Sequence, residues 1–346
     1  MSLPDPSPGR KLRYWGLLTP FMLLGLAVAA WSGFWIWARG QTVARMDAYA
    51  TGLAQAGYPV TWKTRTVYGY PFRMDVSLTD VVAQAPSGWA LQASRIEAEA
   101  PMHAVTHWII AAPQGLVFVR PIGGPVAVKA DLLRASLNHF DQRPPSFSLE
   151  GVKLTFTPQP GAQPFALSTA GRVEFHLRAG PNDEGGVFAS LQNGAAASGL
   201  FARIAAGKPV AIVWNSTLAK MSAFTGRDWP SAVRHWGEAG GLMTLRDGSL
   251  TLGDAEISAK GGKLGVGRDG RLSGLMDVRL RQADRVLAAL SDGGQVPPEA
   301  ARSAAAVVTA RQQADATAQA TITFQAGQAT LGPVAIGAAP KIYETP

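Results

Sequence analysis

The stretch Gly69-Tyr70-Pro71-Phe72-Arg73-Met74-Asp75-Val76-Ser77-Leu78-Thr79 decides the fold. Phe72, Met74, Val76 and Leu78 alternate with Arg73, Asp75, Ser77 and Thr79, the period-two signature of a strand with one buried and one wet face. Pro71 holds Tyr70 in extended geometry and Gly69 permits a tight approach, so a corner feeds this strand. Phe72 is expected to open the buried row and Arg73 the wet one.

The pattern returns along the chain. Val152, Leu154 and Phe156 alternate with Lys153, Thr155 and Thr157, and Val173, Phe175 and Leu177 with Arg172, Glu174, His176 and Arg178. It recurs at Leu250 and Leu252, at Leu272, Met276, Val278 and Leu280, and at Ile322 and Phe324. Turn signals separate these runs, among them Pro121 to Pro125, Pro158 to Gly161, Gly180 to Gly186, Gly261-Gly262, Arg268-Asp269-Gly270 and Gly332-Pro333. Many short, punctuated strands without alternating helices predict a mainly β, α+β fold built on a curved antiparallel sheet. A division into two lobes is expected near residues 180–207.

A few covering helices interrupt the strands. Asp228 can cap one through Pro230 to Glu238, and Asp284 a short one through Leu290. Pro298 to roughly Ala320 is rich in Ala, Arg and Gln and predicts a long helix with Pro in its first turn.

Upstream, Trp15 to Trp37 is free of charge, and as a helix it extends roughly 35 Å, enough to cross a bilayer. Arg10, Lys11 and Arg13 precede it, opposed by Asp5, and Arg39 alone follows closely. That asymmetry predicts a cytoplasmic tail over 1–14, an uncleaved signal anchor over 15–37 and an exported remainder. Trp15, Trp31, Trp35 and Trp37 are expected as interface anchors. Ala27-Val28-Ala29 resembles a signal-peptidase site, but the apolar run continues past it through Phe34, Trp35, Ile36 and Trp37. Residues 38–57 predict a juxtamembrane helix, and 58–346 the β-rich region in the periplasm.

Of the 346 residues, 47% are hydrophobic and 16% charged, and none is Cys. This excludes a disordered chain, a disulfide scaffold and thiolate or Cys-ligated metal chemistry. The net charge of +8 falls to +6 once Arg10, Lys11, Arg13 and Asp5 are set aside, which suits anionic phospholipid headgroups. The cations are dispersed and the region is exported, so nucleic acid is not an expected partner.

The pattern Gly265-Val266-Gly267-Arg268-Asp269-Gly270 matches a dinucleotide fingerprint. A strand rather than a helix follows it, so a hairpin turn is the better reading. His103 and His107 have a metal-pair spacing without the intervening Glu, in a strand-like context. No nucleophile, base or metal constellation can be assembled, so no enzyme, cofactor or metal is expected.

Two segments carry a resemblance. Gly57-Tyr58-Pro59, Trp62 and Gly69-Tyr70-Pro71-Phe72-Arg73 follow the anchor, and Thr321-Ile322-Thr323-Phe324-Gln325-Ala326-Gly327 leads to Leu331-Gly332-Pro333 near the end. In these features the chain resembles the alphaproteobacterial family 2125 of domains of unknown function. It departs at Gln325, Ala326 and Gln328, where a more regular Asp-Gly turn is expected. A looser architectural similarity is to AsmA-like inner-membrane-anchored envelope proteins, which implies a sheet with a greasy inner face that handles or shields lipid chains.

The expected function is therefore that of an inner-membrane-anchored protein binding acyl chains on the row Phe72, Met74, Val76, Val152, Leu154, Phe156, Val173, Phe175 and Leu177. Arg73 is the candidate headgroup contact. The alternative is a closed core in a non-catalytic scaffold or assembly factor with envelope-protein partners. An open apolar groove distinguishes the first from the second.

Overall fold

The computed structural model describes residues 15–140, 142, 144–226, 228–311 and 317–343, with side chains from Leu18 onward. The expectations for 1–14 and for the Trp15 side chain lie outside them. One unbroken helix, α1 (Trp15–Gln55), covers both the anchor and the juxtamembrane segment. Its most apolar 18-residue window has a mean hydropathy of 1.7, yet only 6% of that window is buried. A core helix so apolar would be covered by protein; this one is bare, and it is long and apolar enough to span a membrane.

Among the described residues the strands form one 18-stranded sheet in which every pairing is antiparallel. β1 (Val60–Thr61) and β2 (Thr64–Tyr68) lie along one edge of β3 (Arg73–Gln84), which pairs with β4 (Ala90–Pro101). β5 (Trp108–Ala111) and β6 (Leu116–Arg120) share the far edge of β4. β7 (Gly124–Lys129) pairs with β6 and β8 (Leu132–Asn138) with β5, and both pair with β9 (Ser146–Pro158).

From β9 onward each strand pairs with the next. The order is β10 (Leu167–Ala179), β11 (Glu184–Ala196), β12 (Val210–Ala219), β13 (Met243–Leu252), β14 (Ala255–Val266) and β15 (Leu272–Arg281). β16 (Thr317–Gln325), β17 (Gln328–Leu331) and β18 (Val334–Ala338) complete it. Across 180–207, where a lobe division was expected, β10, β11 and β12 stay hydrogen bonded as neighbours.

Among the described residues, further α-helices are α2 (Gly199–Ala205), α3 (Trp229–Glu238), α4 (Ala283–Asp292) and α5 (Pro298–Ala310). Asp228 caps α3 as its residue type predicts, accepting from Ser231 N at 2.8 Å. Asp284 does not cap α4: Gln282 holds the cap position and Asp284 sits in the first turn, where a carboxylate still faces the helix's positive end. The expected helix to Ala320 stops at Ala310, and Ala318, Ala320 and Ile322 instead fill the buried side of β16. Alanine favours helix, but burial in the sheet overrides that preference here. Of the dinucleotide-like glycines, Gly265 pairs within β14 while Gly267 and Gly270 lie in the β14–β15 turn, and Gln325 pairs with Gln328 around Ala326 and Gly327, both at positive φ. These are the angles an Asp-Gly hairpin turn would adopt.

The corner before β3 departs from expectation. Met74 and Val76 are buried, but Phe72 is 76% exposed and Asp75 only 5% exposed. The cause is α1, whose Trp31 and Trp35 indoles capture the carbonyls of Pro71 and Arg73 and draw the turn onto the helix. Phe72 is thereby left outside the buried row. Trp35, expected at the membrane interface, is 8% exposed and packs with Ala38 on Val67, Met74 and Val76.

The largest core lies between β13–β18 and the pair α4 and α5, with Leu245 at 1% exposure lying across Gly248. Leu245→Ala is expected to destabilise the protein by about 2–5 kcal/mol, the usual range for a buried Leu cavity. The shift of the urea midpoint at unchanged slope measures it.

Candidate functional site

Cross-strand partners share a face, and following them gives an unbroken row. It starts at Val67 and runs through Val76, Ala98, Ile110, Ala135 and Leu149 to Phe175. It continues through Ala189, Trp214, Gly248, Ala259 and Val278 to Ala320. The row contains no charged side chain, and at about 4.8 Å between strands it is roughly 58 Å long measured along the sheet.

One residue over, the opposite face is polar. Ser77, Glu97, Ala111, Arg134, Glu150, Glu174, Ser190, Val213, Ser249, Ser258, Arg279 and Gln319 are successive partners there. Arg134 and Arg172 bind Glu150 at 2.7 and 2.6 Å, Arg172 reaches Glu174 at 3.0 Å, and Ser190 donates to Glu174 at 3.0 Å. These half-exposed ion pairs each contribute little to stability, but they mark the wet side.

The apolar row is sealed at both ends and only partly covered between them. α1 seals Val67 and Val76, and the α4–α5 layer seals Ala259, Val278 and Ala320. From Ala98 to Trp214 every member is only half-buried. Toward the covered C-terminal half this surface deepens into a cavity of about 710 Å³, within the range of roughly 300–1,000 Å³ common for ligand sites. Its floor comes from six consecutive strands, β10 to β15, and includes Phe175, Leu177, Val187, Trp214, Met243 and Leu264. The sheet is therefore concave there.

Met221, Phe224, Trp229, Val233 and Trp236, from the turn after β12 and from α3, form one wall, and Ile342 borders another part. The three indole N–H groups around the cavity are satisfied internally. Trp214 Nε1 donates to Ser216 Oγ at 3.0 Å, Trp236 Nε1 to Ala219 O at 2.6 Å and Trp229 Nε1 to Ile342 O at 2.9 Å. Nothing polar in these contacts is left over to orient a hydrophilic ligand.

Among the row residues named from sequence, Phe175 and Leu177 line this cavity. Val173, Leu154 and Phe156 belong to an adjoining cluster with Val128 and Ala170. Val152 falls on the other face, opposite Arg172. Lys153 explains the switch: its left-handed backbone (φ 50°) interrupts the alternation, and Leu154 comes to lie over Gly151. Met74 and Val76 are sealed beneath α1. Arg73 is paired with Asp75 at 3.4 Å and Glu99 at 3.3 Å rather than standing as an unpaired cation. The cavity residues missed from sequence include Trp214 and Trp236: Ser216 breaks the apolar alternation of β12, whereas the spacing of Trp229, Val233 and Trp236 along α3, which puts them on one face, is the signal that could have found Trp236.

The α3 wall depends on its cap. Hydrogen bonds from Ser231 hold the Asp228 carboxyl below its ordinary value of 3.8, so its stabilisation of α3 is complete above that value and lost as pH falls through the lower folded one. The amides of Ser231 and Ala232 are expected to lose hydrogen-exchange protection across that acid window, and Asp228→Asn, which caps without titrating, is expected to abolish the pH dependence.

No curated protein and no solved structure matches the chain. The family model described as "Uncharacterized protein conserved in bacteria (DUF2125)" matches residues 35–340, nearly all of the sheet-forming chain and the second half of α1. The protein belongs to that family.

Proposed function

We propose that this is a membrane-tethered lipid-handling protein which shields acyl chains on the uncovered middle of its apolar face. The observation that carries the reading is the half-buried apolar row from Ala98 to Trp214, which begins beside the α1 contact and opens into the 710 Å³ apolar cavity. An ordinary core would be closed by a second layer, as it is over β13–β18. A large exposed apolar surface on a folded protein marks an interaction site.

The energetics favour this occupant. Moving a sixteen-carbon chain from a bilayer into water costs on the order of 10 kcal/mol at about 0.8 kcal/mol per CH₂. A trough as apolar as the bilayer removes most of that cost without trapping the chain, which suits transient carriage. The cations before the anchor, with Arg39 alone close behind it, support placing the sheet on the periplasmic side of a bacterial inner membrane. Its dispersed positive charge favours anionic headgroups. No step of this function requires a reacting group, so the protein acts as a binding module rather than an enzyme.

Native mass spectrometry of the full chain released from membranes in mild detergent tests the reading. Retained phospholipid is expected, reduced about tenfold or more by Phe175→Asp or Trp214→Asp, because a chain in the trough would then bury an unpaired carboxylate. Glu174→Gln, on the wet face, is expected to leave retention unchanged. Equal retention in all three variants would contradict the proposal.

A further inference from the structure

The turn between β2 and β3 is fastened to α1 within its charge-free run. Trp31 Nε1 donates to Pro71 O at 2.9 Å, the Ser32 and Tyr70 hydroxyls are 2.8 Å apart, and Trp35 Nε1 donates to Arg73 O at 3.0 Å. The Trp35 and Tyr70 rings also meet edge to face, with centroids 5.7 Å apart. Trp31 and Trp35 precede Arg39, the first charge after the run, by eight and four residues, or about 12 and 6 Å along the helix axis. The interfacial layer on each side of a bilayer is only about 5–8 Å thick. If α1 spans the membrane, these contacts hold the turn at the level where headgroups give way to acyl chains.

Its exposed side chains fit that level. Phe72 is 76% and Tyr70 50% exposed, and Trp31, bonded to Pro71 between them, is 39% exposed. The nearest charge, on Arg73, is partnered by Asp75 and Glu99. In water, such a cluster of bare aromatics would be a liability; at a bilayer boundary, aromatic rings with one polar end are favoured.

We infer that the Gly69–Phe72 turn is a second membrane contact, a wedge inserted into the leaflet on the sheet's side of the bilayer. The occupant of this apolar surface is the bilayer itself. The inference rests on α1 spanning a membrane, but not on lipid entering the trough. Two attachments fix the edge of the sheet at α1 and β3 relative to the lipid surface, which a single flexible tether could not do.

The chain has no cysteine, so single-cysteine spin labelling of the full chain is direct. Phe72→Cys, Phe21→Cys within the span and Ile122→Cys serve as probe, lipid reference and water reference. Ile122 is 83% exposed in the β6–β7 turn, near the Ala90 end of β4, which is about 36 Å along the strand from Pro101 beside the wedge. In vesicles of phosphatidylethanolamine and phosphatidylglycerol, collision with oxygen relative to a water-soluble nickel chelate reads depth. The ratio at Phe72 is expected to exceed that at Ile122 several-fold and to approach that at Phe21. A Phe72 ratio equal to that of Ile122, with Phe21 still in lipid, would overturn the wedge alone. A Phe21 label in water would overturn the spanning reading and the wedge with it.

Discussion

Strand register is the constraint on which the remainder depends. In an antiparallel sheet a slip of one residue moves every side chain to the other face, so an apolar row crossing from β2 to β16 requires each pairing to be correct. The sheet also has to absorb irregularities without losing the row. Lys153 does so locally: its left-handed backbone swaps Leu154 onto the apolar side while Glu150 and Arg172 remain paired on the wet side. Strands that individually look unremarkable thus build a two-faced surface that no single hairpin could supply.

The coverage of that surface is uneven, and the unevenness carries the functional argument. α1 closes one end and α4 with α5 the other, so the helices act as terminal caps on the apolar face instead of a complete second layer. Between them, Ile110, Leu149, Phe175 and Trp214 stay half-buried. The α1 cap is the same helix that is apolar enough to span a bilayer, which brings the uncovered row next to the element that would hold the protein at the membrane.

Much of this was legible in the residues. Period-two alternation located β3, β9, β10 and β15, a charge-free run located the first half of α1, and Asp228 marked the start of α3. The short-range pattern failed where distant partners decide. Phe72 continues the alternation of β3, yet two indoles from α1 pull its turn away from the core. Trp35 was expected as a headgroup anchor, and its packing on Met74 and Val76, about forty positions away, could not be read from its own neighbourhood. Ala318 and Ala320 read as helix because propensity sees the residue and not the buried side of β16. The cavity was half visible: Phe175 and Leu177 alternate cleanly, whereas Trp214 reaches the floor through a strand whose apolar face is interrupted by Ser216.

The central claim is that the uncovered row carries lipid and the opposite face does not. Photoreactive amino acids placed in living cells at Ile110, Leu149 and Ala189 on the row, and at Glu97, Glu150 and Glu174 on the wet face, test it most directly. Phospholipid adducts at the three row positions and none at the three wet ones is the predicted result. Protein adducts alone along the row, or lipid captured equally from both faces, would contradict it.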